Sequence, residues 1–162
     1  MSISNFVRLS GIVTILVAIT ILSTEFIQDT PIIIYGLTLI GSLIGFIGIH
    51  QFQKDKAGVL SIISVIVLLL TFVFYGSGRD ELGDITFPFA FLFLGFASYR
   101  SRKFPRWASI ALILGVVISL IGSSLPSFPN MIDVIDAFIF AAGFFAIGYT
   151  VWTGPIQPGT SL

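Results

Sequence analysis

The chain reads as an all-α integral membrane protein with six transmembrane helices. Three observations predict this class. Hydrophobic residues make up 56% of the 162 positions and charged residues only 10%, against roughly 25% charged in soluble proteins. The mean hydropathy is +1.05, too apolar for a water-covered fold but suited to lipid as solvent. The charges are also sorted by side. Seven of the eight Lys and Arg residues fall in alternate gaps between apolar stretches: Arg8, Lys54, Lys56, Arg100, Arg102, Lys103 and Arg106, with Arg79 apart. The acids do the reverse, with Glu25, Asp29, Asp80, Glu81, Asp84, Asp133 and Asp136 in the other gaps and Asp55 apart. Lys and Arg are retained on the cytoplasmic side. Both termini and the turns at 50–56 and 99–106 are therefore expected in the cytoplasm.

The spans are read at about 7–24, 31–50, 57–76, 84–100, 106–123 and 132–152, most near the roughly 20 residues that a crossing needs. Helix is the default, because backbone polar groups in lipid must be satisfied within the segment. Continuous runs such as Val65 to Leu70 lack the alternation of a β-barrel. No Ala-x-Ala-like site follows the first span at Leu22-Ser23-Thr24-Glu25, so it is expected to be a retained span rather than a signal peptide. Thr30-Pro31 opens the second, since Pro is tolerated in a first helical turn. Thr38, Gly41, Gly45 and Gly48 form a small-residue stripe along it. Gly76-Ser77-Gly78 ends the third span, which has no Gly from Val59 to Phe74 and is expected at the lipid face, Val67 included. Pro88 makes the fourth the weakest. Regular helix is expected to begin only there, with thinning of the bilayer or snorkelling by Arg100 and Arg102 making up the length. Ala111, Gly115, Ser119 and Ser123 give the fifth a second small stripe. Pro126, Pro129 and Asn130 shape the gap before the sixth, and Trp152 marks its interfacial end. Gly41, Gly45, Gly48, Gly115 and Ser119 are the candidate helix-packing residues, since small side chains let backbones approach in lipid.

The spans also fall into a repeat. Gly45-Phe46, Gly95-Phe96 and Gly143-Phe144 each lie in an even-numbered span. Arg8, Lys56 and Arg106 precede them by 37, 39 and 37 positions, and the three acidic gaps each carry net −2. One domain of three helical hairpins, at about 6–50, 54–100 and 104–152, accounts for this spacing.

Little in the chain carries chemistry. There is no cysteine, one histidine (His50) and two methionines (Met1 and Met131). One chain so equipped supplies neither a thiolate site nor a bis-His haem or His-rich zinc site; no catalytic, cofactor or metal residue is assigned. His50 reads as an interfacial residue. A net charge of zero offers no field for nucleic acid. The span centres lack ionisable residues, which argues against a proton relay or voltage sensor. Asp133 and Asp136 share a helix face and are the candidate outer-face cation or acid/base pair. Arg100, Arg102, Lys103, Arg106 and Trp107 flank a tight turn and form the candidate lipid-headgroup site. Motif tests exclude several classes. The P-x-[DE]-x-x-[KR] signature of mitochondrial carriers, the embedded Glu of small multidrug transporters and the Glu-Glu-x-x-x-Arg of CAAX-type proteases are missing.

Three functions follow in order of expectation. The first is a non-enzymatic accessory or structural membrane protein, packing against lipid, a membrane-protein partner or its own copies. The second is a small channel or facilitator for a neutral or weakly polar solute, with Thr38, Ser42, Ser64, Ser119 or Tyr149 lining a wet cavity. The third is an intramembrane enzyme, which needs Asp84, Asp133, Asp136 and Arg79 in one outer cleft. The general look is that of a small protein of a prokaryotic cell membrane.

Overall fold

Apolar runs bounded by proline, glycine and charge become six α-helices. A computed structural model describes residues 2–24, 26–27, 31–123 and 130–155, apart from the side chains of 123 and 130–133. Glu25, Asp29, Pro126, Pro129 and the side chain of Asp133 thus lie outside the described residues. The helices are α1 Ile3–Thr24, α2 Ile32–Ala57, α3 Val59–Gly76, α4 Asp80–Ser101, α5 Arg106–Ser123 and α6 Asn130–Thr153. Five are long and apolar enough to cross a membrane, and α5 is a shorter apolar helix.

Two helices outrun their apolar stretches. α2 continues past His50 for two turns, ending on Lys54 and Lys56. Cations in a last turn favour the negative end of the helix dipole, and that end does not have to be apolar. α4 begins at Asp80, with Asp80 and Glu81 in its first turn, and keeps Pro88 inside. The expectation of helix only from Pro88 onwards is corrected. The acidic turn favours the positive helix end, and one proline removes a single N–H rather than ending the helix.

Each helix runs antiparallel to the next, and α6 lies along α1 to close a ring; α2 also touches α4 and α6 across the middle. All odd helices therefore run one way and all even helices the other. One end gathers the start of α1 and the 57–59 and 101–106 turns, with seven bases; the other gathers the 77–79 turn with Asp80, Glu81 and Asp84, and the first turns of α6 with Asp136. These ends are called the basic face and the acidic face below.

The ring is filled by phenylalanine. Phe46 of α2, Phe91 of α4 and Phe144 of α6 are fully buried. Phe91 meets Phe46 edge-on at 4.8 Å and Phe144 at 5.2 Å between centroids. Edge-to-face rings at this spacing are each worth about 0.5–1.5 kcal/mol beyond the area they bury. Large side chains ring the outside, among them Ile33, Leu37, Val59, Ile66 and Val73.

Buried positions recur along the chain at fixed offsets, with one shift. Ser10, Gly11, Thr14, Val17 and Ala18 of α1 are buried, as are Ala108, Ser109, Leu112, Gly115 and Val116 of α5, each 98 positions on. Gly45, Phe46, Ile49 and Gln53 of α2 match Gly143, Phe144, Ile147 and Val151 of α6 by the same shift. In the middle pair, Ser61, Ser64 and Leu68 lie 50 positions after Gly11, Thr14 and Ala18. The α4 matches, however, are Ala90, Phe91, Leu94 and Ser98, only 45 after their α2 counterparts. Phe96, placed in the repeat by its Gly-Phe pair, is instead 46% exposed, and Phe91 holds the central position. The turn explains the slip. α3 and α4 are joined by 77–79, whereas 25–31 join α1 and α2.

α3 also differs from expectation in what it turns inward. Ser61, Ser64, Leu68 and Thr71 are buried, and Val67 is half-buried against the core rather than facing outward. Thr71 donates to Thr86 Oγ1 at 2.9 Å, and Tyr75 donates to Asp84 at 2.7 Å, so hydroxyls join α3 to α4.

Candidate functional site

Glycine sets the closest helix contacts. A methyl group on Gly143 would stand 2.6 Å from the Ala108 carbonyl oxygen and 2.7 Å from Leu112 N, both backbone. On Gly11 it would stand 2.6 Å from Trp152 N, and on Gly148 2.8 Å from the Gly11 carbonyl. Gly41, Gly45 and Gly48 face side chains of α1 instead: Val17, Thr14 and Ser10. Gly115 faces Phe140. Ser119 is exposed and, like Asp136, lines a cavity described below. The α1–α6 crossing at Gly11 and Gly148 is not legible in the sequence, because its two glycines lie on the first and last helices.

The basic face brings two turns together. Lys103 turns inward, donating from Nζ to the Phe52 carbonyl at 2.7 Å, with Asp55 at 3.6 Å and the Phe52 ring centroid at 5.5 Å. The Phe52 and Phe104 rings also meet, tilted by 40°, at 5.6 Å between centroids. Lys103 thus leaves the headgroup set and ties the end of α2 to the α4–α5 turn. Arg100, Arg102, Arg106 and Trp107 remain exposed. Arg100 lines a groove of about 250 Å³ with Lys56, Gly58 and the first turn of α3. Gly58 caps that helix at φ 55° and ψ −136°, a glycine conformation, without a side-chain hydrogen bond. Lys56 is the base that the turn-centred reading missed. It lies 44 positions before Arg100, and only the packing of α2–α3 against α4 brings the two to one groove.

Beside this groove lies a polar cluster that the sequence did not mark. Ser61 Oγ is 3.0 Å from His50 Nδ1 and accepts from Gln53 Nε2 at 3.2 Å. His50 is therefore half-buried and joins α2 to α3, rather than being a plain interfacial side chain. Gln53 is fully buried, and among the described residues its Oε1 has no hydrogen-bond partner.

At the acidic face a cavity of about 130 Å³ opens between the helices. Asp136, Ser119 and Pro88 line it, with Phe87, Phe91 and Phe140 as apolar walls. Phe87 and Phe140 each meet Phe91 at 4.9 Å. Asp84 is engaged by Tyr75, and neither it nor Arg79 lines this cavity. The five hydroxyls proposed for a wet path do not converge. Ser42 and Ser64 are buried, Thr38 lies in an apolar groove between α1 and α2, Ser119 is at the acidic-face cavity, and Tyr149 is on the outside. Among the described residues no group of three His, Cys, Asp or Glu side chains is placed to hold a metal ion. Comparison with protein-family models, with curated proteins and with solved structures finds no match.

Proposed function

We propose that this chain is a multi-pass, non-enzymatic component of a prokaryotic cell membrane that binds and organises anionic lipid in the cytoplasmic leaflet. The observation that carries the reading is the basic-face groove, where Lys56 and Arg100 flank the first turn of α3, whose N–H groups receive no side-chain capping bond. Two cations and a helix N-terminus together favour a phosphate group, and juxtamembrane bases each contribute about 1 kcal/mol toward an anionic surface. Exposed Trp107, Tyr149 and Trp152 lie at the same end, where aromatic rings suit the headgroup level. The Phe46–Phe91–Phe144 cluster fills the middle of the ring and supports a structural role over conduction.

The orientation belongs to the same proposal. Cysteine introduced singly at Ser77 should react with a membrane-impermeant thiol reagent from outside the cell, and cysteine at Lys54 only after the membrane is opened. The reverse pattern overturns the orientation. For lipid binding, native mass spectrometry of the purified protein should retain phosphatidylglycerol over phosphatidylcholine, and Lys56→Gln with Arg100→Gln should remove the preference. Equal retention of both lipids by the unaltered protein overturns the reading. A facilitator instead requires the Phe cluster to part, and solute flux into liposomes above the empty-liposome rate would establish that alternative.

A further inference from the structure

We infer that His50 is a third cation of the basic-face groove, present only when protonated, so that the groove holds an anionic headgroup more tightly at acid pH. This rests on the reading of that groove as an anionic-lipid site. The geometric basis is the contact at Ser61. His50 Nδ1 lies 3.0 Å from Ser61 Oγ. Ser61 stands in the first turn of α3, beside Val59 and Leu60 of the groove lining. The imidazole is thus fixed next to the N–H groups that receive no side-chain cap and would face a phosphate.

The hydrogen bonds accommodate either charge state. Ser61 Oγ accepts from Gln53 Nε2 at 3.2 Å. With His50 neutral, the Ser61 hydroxyl proton is donated to Nδ1. With His50 protonated, Nδ1–H donates to Ser61 Oγ instead, and the hydroxyl proton turns to another acceptor. Gln53 Oε1, buried and without a hydrogen-bond partner among the described residues, becomes that acceptor once its amide turns over. Protonation therefore keeps the α2–α3 contact.

His50 is the sole histidine of the chain, and histidine ordinarily titrates between pH 5 and 8. Several charges surround it. On α2 itself Lys54 lies one turn on, followed by Asp55 and Lys56. α3 carries no Asp, Glu, Lys or Arg. α4 brings Arg100, and the turn after it brings Arg102 and Lys103, with Lys103 3.6 Å from Asp55. α1 brings Arg8, and α6 has no Asp, Glu, Lys or Arg at this end. Residues 156–162, outside the described residues, add no ionisable side chain. Cations thus outnumber the one acid. A bound anion offsets their repulsion and favours a protonated His50; by linkage, protonation strengthens anion binding by the same factor. One added charge at this range, partly screened, should tighten binding roughly three- to tenfold.

The test titrates a short-chain phosphatidylglycerol calorimetrically into the full-length protein in maltoside micelles, at about pH 7.5 and about pH 5.5, with phosphatidylcholine as reference. Phosphatidylglycerol should bind roughly three- to tenfold more tightly at the lower pH, and phosphatidylcholine equally at both. His50→Gln should abolish the pH dependence while keeping the preference for phosphatidylglycerol at the higher pH. Circular dichroism and a single size-exclusion peak show whether that variant folds. If it does not, nitrogen-15 NMR of the unaltered protein decides, because its one imidazole needs no assignment. The imidazole should titrate with a higher midpoint in phosphatidylglycerol than in phosphatidylcholine. Equal midpoints, pH-independent binding of phosphatidylglycerol, or a pH dependence that survives in folded His50→Gln overturns the proposal and leaves the lipid reading standing. Absence of any preference for phosphatidylglycerol at either pH overturns the lipid reading, and this proposal with it.

Discussion

Lys103 reads in the sequence as one more positive charge in a basic turn, yet it acts as a tie. Its ammonium group reaches the Phe52 carbonyl, 51 positions away, and covers the Phe52 ring. Hydrogen bonds to a charged group are worth about 1.5–3 kcal/mol. Lys103→Met should therefore lower stability in detergent by roughly 1–2 kcal/mol, because the longer-range Asp55 contact at 3.6 Å is exposed and adds little. Arg106→Gln, at an exposed position, should stay within about 0.5 kcal/mol. Thermal unfolding of the two variants checks the difference. Arg102, its neighbour, ends α4 with φ at 55° and ψ at 17°, a left-handed conformation that costs a side-chain-bearing residue roughly 1–2 kcal/mol. Arg102→Gly should raise stability by about 0.5–1 kcal/mol, less than the full strain because glycine also has more freedom in the unfolded chain. A lower melting temperature for that variant would show that the Arg102 side chain makes a compensating contact.

Between elements, the cost of filling a glycine depends on what it faces. Gly143 and Gly11 face backbone atoms, which do not move aside; Gly45 faces the Thr14 hydroxyl, the end of a side chain. Gly143→Ala and Gly11→Ala should each cost about 1–3 kcal/mol as α5–α6 and α1–α6 are forced apart, and Gly45→Ala should cost less. Ile66→Leu, at a position 51% exposed, is the neutral reference. Guanidine- or SDS-induced unfolding ranks the four, and equal midpoints would contradict the assigned contacts. The small stripes at 41–48 and 111–119 were legible because spacing four is visible in one dimension. The Gly11–Gly148 crossing was not, since its two halves sit at opposite ends of the chain. Likewise Phe91 was passed over for Phe96. The dipeptide Gly-Phe is visible in sequence, whereas a turn shorter by several residues shifts which phenylalanine reaches the axis.

For the molecule as a whole, the aromatic centre holds α2, α4 and α6 together although α4 and α6 have no close backbone approach. Phe91 is the common member, in edge contact with Phe46, Phe87, Phe140 and Phe144. Phe91→Ala should cost roughly 3–5 kcal/mol through the cavity it leaves. Phe96→Ala, removing an outward ring of equal size, should cost far less. Comparing their unfolding in the same detergent tests whether the repeat runs through Phe91. The closed ring also bears on the functional alternatives, since a solute path along the axis needs these rings to separate.

The number of apolar helices, their approximate limits and the division of charge between two ends followed from the sequence by itself. Transfer from water to lipid is a property of each residue, so its sum along the chain is readable without knowing any neighbour. Pro88 shows the limit of that reading, for one proline weighed locally looks like a boundary, while twenty-one other residues of α4 keep the helix intact. The tertiary structure alone decided that Lys56 joins Arg100, that Lys103 turns inward, that Asp136 shares a cavity with Phe87, Phe91 and Phe140, and that Phe91 occupies the axis. Each of these depends on how far one helix slides and rotates against another. That is fixed by all the contacts around the ring at once, and by the length of a three-residue turn, rather than by the preference of any residue taken singly.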